Sequence, residues 1–203
     1  MANGKEHYKT LRSVSEQKGF DFEQLSDMFI AESSGRPDVE NPMGYAGGFQ
    51  FGKKTGKEYG LMGKGFDYRK DLGKSASAAI DMYRKGTKDM GKRVEGLISE
   101  RGLGPGLVGY LTHQQGRFGF QDIITGAKSG KIKASTRKNI LSNIGDNDWS
   151  DLGDKELSGK FLDFWKGRYG EKKKEAQSWR DRNRPVEDIA MTSMLKPERP
   201  LIQ

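Results

Sequence analysis

Apolar residues recur along this chain mostly with a helical period. Between residues 21 and 34, Phe22, Leu25 and Phe29 follow steps of three and four, and Glu32 comes three residues later. That spacing puts a carboxylate on the same face as the apolar side chains. The pattern predicts a helix with Asp21 as its N-cap, ended by Gly35 as a left-handed cap and by the nearby Pro37. A second helix is predicted over 73–90, with Leu72, Ala76, Ala79, Ile80 and Tyr83 as its inner stripe and a run of small residues at 75–79 that permits close packing. Pro105 suits a first helical position and opens a helix to about 115, where Gly116 and Gly119 break it. The stretch 125–148 is polar and loop-like, with a helix at 135–143. The widest apolar face, Leu157, Phe161, Phe164, Trp165 and Tyr169, predicts a last helix over 154–169. Residues 36–48 read as loop, and 49–60 as a short helical turn or a strand.

The ends of the chain lose this pattern. Residues 1–19 are polar, a flexible lead-in or a surface helix near 5–18. From Gly170 to Gln203 prolines stand at 185, 197 and 200 with little periodicity, which reads as an extended basic arm outside the core. The expected organisation is therefore a lead-in at 1–19, one helical domain at 20–169 and an arm at 170–203.

Composition narrows the chemistry. The chain has 203 residues, 33% of them hydrophobic, enough for one domain with a modest core. Its 28 glycines stand well above the usual share of about 7% and point to loops with close backbone approaches. With no cysteine, disulfides and thiol chemistry are excluded, and His7 and His113 lack metal-site spacing, so neither metal nor cofactor is expected. No apolar run reaches the roughly 18 residues of a membrane span, and the N-terminus lacks the apolar core of a signal peptide. The net charge of +8 favours acidic polymers in general. The aromatic-basic run FWKGRYGEKKK at 164–174 prompts a nucleic-acid reading, but no nucleic-acid motif accompanies it, and a solvated face is the simpler reading.

Candidate chemistry centres on Glu32. A carboxyl group turned toward a core is costly to ionise, and desolvation raises its pKa. A carboxylic acid that stays protonated near neutral pH is a proton donor of the kind a glycosidic oxygen requires. The residues around and after it form a specific pattern: Glu32-Ser33, Pro37, then Gly44-Tyr45-Ala46-Gly47-Gly48-Phe49-Gln50-Phe51, Thr55 and Gly60. This run resembles the lytic transglycosylases of the goose-type lysozyme fold, whose hallmark is Glu-Ser at a helix end and then a glycine-rich turn with one glutamine. Here Gly48-Phe49-Gln50-Phe51 is one residue shorter than the family's Gly-(Leu/Met)-(Met/Leu)-Gln-(Ile/Phe). A second likeness is YLTHQQGRFG at 110–119, where His113 and Gln114 stand at the tyrosine and asparagine of the family's Tyr-Asn-Ala-Gly-like run, in the Tyr-Leu-x-His-x-x-Gly form of phage-encoded relatives. Tyr110 and Gln114, four residues apart, share a helix face. The resemblance spans residues 20–120, about half the chain.

The resemblance implies a mainly α, lysozyme-like domain and cleavage of the β-1,4 bond between N-acetylmuramic acid and N-acetylglucosamine in peptidoglycan. Glu32 would protonate the glycosidic oxygen and then take the proton of the muramyl C6 hydroxyl, which closes a 1,6-anhydro ring. Ser33, Gln50, Tyr110, His113 and Gln114 would bind glycan or the glutamate. A single-carboxylate mechanism fits the chain, since no acidic residue occurs between Asn41 and Lys57, and Asp38 and Glu40 lie in a loop beside Pro37. The alternatives are a hydrolytic lysozyme that uses Asp38 or Glu40, and a catalytically idle structural protein. The expected setting is a bacteriophage particle acting on the host cell wall during genome ejection, with other virion proteins meeting the arm.

Overall fold

The computed structural model describes residues 4–88, 90–145 and 147–186. The chain is mainly helical: α1 (Gly4–Lys18), α2 (Phe22–Ser33), α3 (Lys53–Glu58), β1 (Met62–Gly63), β2 (Phe66–Asp67), α4 (Leu72–Thr87), α5 (Lys92–Glu100), α6 (Pro105–Ser129), α7 (Ala134–Ser142) and α8 (Asp154–Asn183). The two short strands form one antiparallel hairpin, Met62 opposite Asp67. Among the described residues no helix is long and apolar enough to cross a membrane.

Helix α2 is the centre. Asp21 caps it by accepting from the Gln24 N–H at 2.8 Å, and Ser34 (φ 53°) and Gly35 (φ 81°) end it in left-handed conformations. Six consecutive residues, Leu25 to Ile30, are buried. At 100° per residue such a run leaves no solvent face. Helices α1, α6 and α8 pack around it. Leu25, Phe29 and Ile30 join Tyr8 and Leu11 of α1, Phe49 and Phe51, Ala76, Ala79 and Ile80 of α4, and Ala176 and Trp179 of α8 in one core cluster. A second cluster joins α5, α6, α7 and the first half of α8 through Leu111, Phe120, Ile123, Ile124, Ile140, Phe161 and Leu162. Helix α8 belongs to both clusters.

Both ends of the chain correct the organisation expected from local pattern. At 1–19 the helix expected near 5–18 forms, as α1, but it is not confined to the surface: it buries Tyr8 and Leu11 in the α2 core. The arm expected from residue 170 is, as far as Asn183, the second half of α8. Trp179 meets the Phe29 ring edge-on at 5.7 Å and stacks near Tyr8 at 6.2 Å. Beside it the buried Arg180 donates to Asp27 Oδ1 (2.7 Å), Ser26 Oγ (2.6 Å) and the Glu23 carbonyl (3.2 Å). The apolar stripe thins after Tyr169 because α8 here meets a mixed polar and aromatic surface. Pro197 and Pro200 lie outside the described residues. Helix α6 also exceeds its expected length. Gly116 breaks it (φ 68°, ψ 157°), but the helix resumes and runs through Gly119 to Ser129. Helix α5, which buries Val94 and Leu97, was not predicted at all.

The Asp27–Arg180 pair yields a test. Removing one partner from a buried pair strands a charge and costs about 3–5 kcal/mol, whereas an apolar replacement of both is often neutral. Arg180→Ala should therefore lower the thermal midpoint sharply, and the double change Asp27→Leu/Arg180→Met should recover most of the loss. Circular dichroism melts of the three proteins measure this.

Candidate active site

Glu32 sits in the last turn of α2. It is the next residue along the apolar face after Phe29, so the enclosure of that face also takes in the carboxyl group. The Glu32 side chain keeps 15% of its exposure, and burial raises its pKa from 4.5 to about 8. A titratable neighbour is His113 on α6, with Nε2 3.8 Å from Oε1. His113 is 10% exposed, and burial lowers its pKa from 6.5 to about 4, with a smaller opposing effect from the Phe49 backbone. Near neutral pH the pair is thus a carboxylic acid facing a neutral imidazole. The His113 ring also lies edge-on to Phe51 at 5.7 Å.

The loop across from these groups is built on two glycines and one arginine. Glu40, Ala46 and Phe51 form two isolated antiparallel bridges, Glu40 with Ala46 and Ala46 with Phe51. At Gly47 (φ 86°) a Cβ would fall 1.7 Å from the Arg69 carbonyl oxygen, and at Gly48 one would fall 2.5 Å from the Phe29 ring. Arg69 is 3% exposed and donates to the carbonyls of Gly44 (2.7 Å) and Phe51 (3.0 Å), while Asp67 holds its guanidinium at 2.7 Å. The loop is fastened at both ends and pressed against the helix that carries Glu32.

The other expected site residues have diverse surroundings. Gln50, at φ 48°, spends its amide inside the loop: Nε2 donates to the Gly47 carbonyl (2.8 Å), and Oε1 accepts from Asn41 (3.3 Å). Its hydrogen bonds therefore serve the turn rather than Glu32. Ser33 is buried, donates to the Phe29 carbonyl (2.9 Å) and accepts from the Arg36 N–H (3.2 Å), which closes the end of α2. Tyr110 is near enough to feel the Glu32 charge, yet its ring is packed against Trp165 (5.3 Å) and Tyr169 (5.5 Å). Burial raises its phenol pKa well above the ordinary value. Gln114 is half-buried and accepts from Gln115 at 3.2 Å. Of these residues, His113 and Tyr110 are brought to Glu32.

Among the acidic groups proposed as a second carboxylate, Glu40 is paired with Lys70 at 3.0 Å, and Asp38 is exposed. Cavities of about 440 Å³ between α1 and α8 and about 730 Å³ between α1 and α4 are not lined by Glu32. Among the described residues no group of three or more His, Cys, Asp or Glu could hold a metal ion. Sequence reasoning missed Arg69; its partner Asp67 lies two residues away, and no local pattern marks the loop carbonyls it holds. In comparison with protein-family models, curated proteins and solved structures, the chain matches none.

Two stability measurements probe this site. Gly47→Ala meets both a left-handed backbone and a backbone oxygen, so it should cost about 2–4 kcal/mol. Gly44→Ala, also left-handed (φ 80°) but with open space around it, should cost only about 1–2 kcal/mol. Urea melts that gave equal losses would contradict the close approach at Gly47. For Glu32, the folded state binds more protons than the unfolded chain between its ordinary pKa of 4.5 and its folded value of about 8. Stability therefore falls as pH rises through that window. Glu32→Gln removes this penalty, so its stability gain over the unaltered chain should grow from pH 5 to pH 8 in parallel melts.

Proposed function

We propose that the chain is a peptidoglycan lytic transglycosylase on a lysozyme-like fold, with Glu32 as its proton carrier. The observation that carries this reading is an enclosed carboxyl group, kept protonated by burial at the end of the helix against which a glycine-built turn packs. In the reaction Glu32 gives its proton to the oxygen of the β-1,4 bond as that bond to the muramyl C1 breaks. The C6 hydroxyl oxygen of the same muramyl residue attacks C1. Its proton passes to the Glu32 carboxylate, which returns to the acid form. The product ends in a 1,6-anhydro ring, and no water is consumed. The site requires only one carboxyl group for this sequence. A hydrolytic lysozyme would recruit Asp38 or Glu40 to activate water, and the Glu40–Lys70 pair favours the single-carboxylate route.

The likeness at residues 20–120 supports the assignment to this family and to phage-encoded members in particular. On that reading the protein travels in a bacteriophage particle and opens the cell wall locally as the genome enters. The arm expected at 170–203 would then meet other virion proteins.

The test is incubation of purified peptidoglycan with the chain and with Glu32→Gln, and then mass spectrometry of the released muropeptides. Products one water lighter than hydrolytic muropeptides, with anhydro ends, are expected from the unaltered chain. Release should fall about 1000-fold or more with Glu32→Gln. Activity should also decline as pH rises through about 8, where the acid form of Glu32 is lost. Reducing ends in place of anhydro ends would identify a hydrolase. No release by the folded, unaltered chain would leave the idle structural reading.

A further inference from the structure

Residue His113 differs from a sugar-binding group in one respect: its ring is turned inward. Nδ1 is enclosed and has no hydrogen-bond partner among the described residues, while Nε2 is the nitrogen that faces Glu32 Oε1 at 3.8 Å. A buried N–H without an acceptor is more costly than an unused ring lone pair. The proton of the neutral imidazole therefore belongs on Nε2, the nitrogen 3.8 Å from Glu32 Oε1. The ring is fixed there by its position on α6, by the Phe51 edge at 5.7 Å and by its own burial.

We propose that His113 is a positioning residue for Glu32, whose Nε2–H closes onto Oε1 and holds the carboxylate in the interval between losing and regaining its proton. This rests on Glu32 being the proton carrier. The need for such a donor is physical. Once Glu32 has given up its proton, it is an anion in an enclosed site, and the burial that raises its pKa opposes that charge. Other groups pack nearby. Tyr110, from the same helix, is packed against Trp165 and Tyr169. Arg168, from α8, lies over the Trp165 ring at 5.5 Å and Phe164 at 5.8 Å. The 49–51 segment presents the Phe51 ring and the Phe49 backbone to His113. With Nε2 at 3.8 Å from Oε1, its N–H needs only a small approach to reach hydrogen-bond distance. A neutral donor lowers the energy of the anion without converting the site into a permanent ion pair, which would take the acid's proton away before the reaction.

The experiment follows the Glu32 carboxyl ¹³C shift against pH in the full chain, in His113→Phe and in His113→Gln, alongside kcat and KM on purified peptidoglycan. Phenylalanine keeps a ring against Phe51 but has no donor; glutamine restores an N–H at similar reach. A hydrogen bond to a charged group predicts that His113→Phe raises the Glu32 midpoint by about 1–2 pH units and lowers kcat about 10- to 100-fold, with KM nearly unchanged. His113→Gln should bring both back toward the starting values. A folded His113→Phe protein with an unmoved midpoint and kcat would overturn the proposal, as would a rise in KM alone, the mark of a sugar ligand. The two readings separate cleanly. If the unaltered chain releases no muropeptide but the midpoint moves, the pairing stands and the transglycosylase reading falls. If anhydro products form and the midpoint stays, the reverse holds.

Discussion

Everything in this fold answers to the enclosure of α2. Six consecutive buried residues demand a partner in every direction around a twelve-residue helix. On the apolar sides these partners are α1, the 49–51 segment and α4, which supply Tyr8, Leu11, Phe49, Phe51 and Ile80. The side that carries Ser26 and Asp27 needs a counter-charge, and Arg180 provides it from more than 150 residues away in sequence. Such a buried pair adds little net stability over apolar packing, but its geometry fixes which turn of α8 meets α2. That requirement explains why α8 runs for 30 residues and joins both core clusters.

The same helix then gives two carboxyl groups opposite fates. Burial raises the pKa of both Asp27 and Glu32. Asp27 has a guanidinium at 2.7 Å that favours its charged form and offsets the cost. Glu32 faces an imidazole that burial keeps neutral. One is structural because a cation holds it, and the other keeps a proton because its neighbour carries no charge. Surroundings alone thus set two carboxyl groups of one helix apart. The enclosed acid also costs stability above its ordinary pKa.

The loop at 40–51 is the second half of this arrangement. Its backbone lies directly on the Phe29 ring of α2 at Gly48 and on the Arg69 carbonyl at Gly47, which is why neither position has room for a side chain. Arg69 replaces the hydrogen bonds that a longer sheet would have supplied, by donating directly to loop carbonyls. Gln50 and Asn41 complete the turn from within. Residues that resemble a substrate-binding signature thus hold the loop in shape.

Local physics made part of this protein legible in its sequence alone. The span and N-cap of α2, the packing stripe of α4, the opening of α6 at Pro105 and the placement of Glu32 on an apolar face all follow from periodicity and capping, which act within a few residues. The mainly helical class follows as well. Tertiary structure decided what local pattern could not carry. Helix α1 and the end of α8 are too polar along their own length to announce burial, because what they contribute to the interior is a few residues each: Tyr8 and Leu11, or Trp179 and Arg180. Gly116 reads as a terminus because a left-handed residue ends many helices, but the packing of Phe120, Ile123 and Ile124 restarts this one. The Glu32–His113 approach and the grip of Arg69 join residues 81 and 18 or more positions apart. Their energies depend on burial and distance, which exist only once the chain has folded.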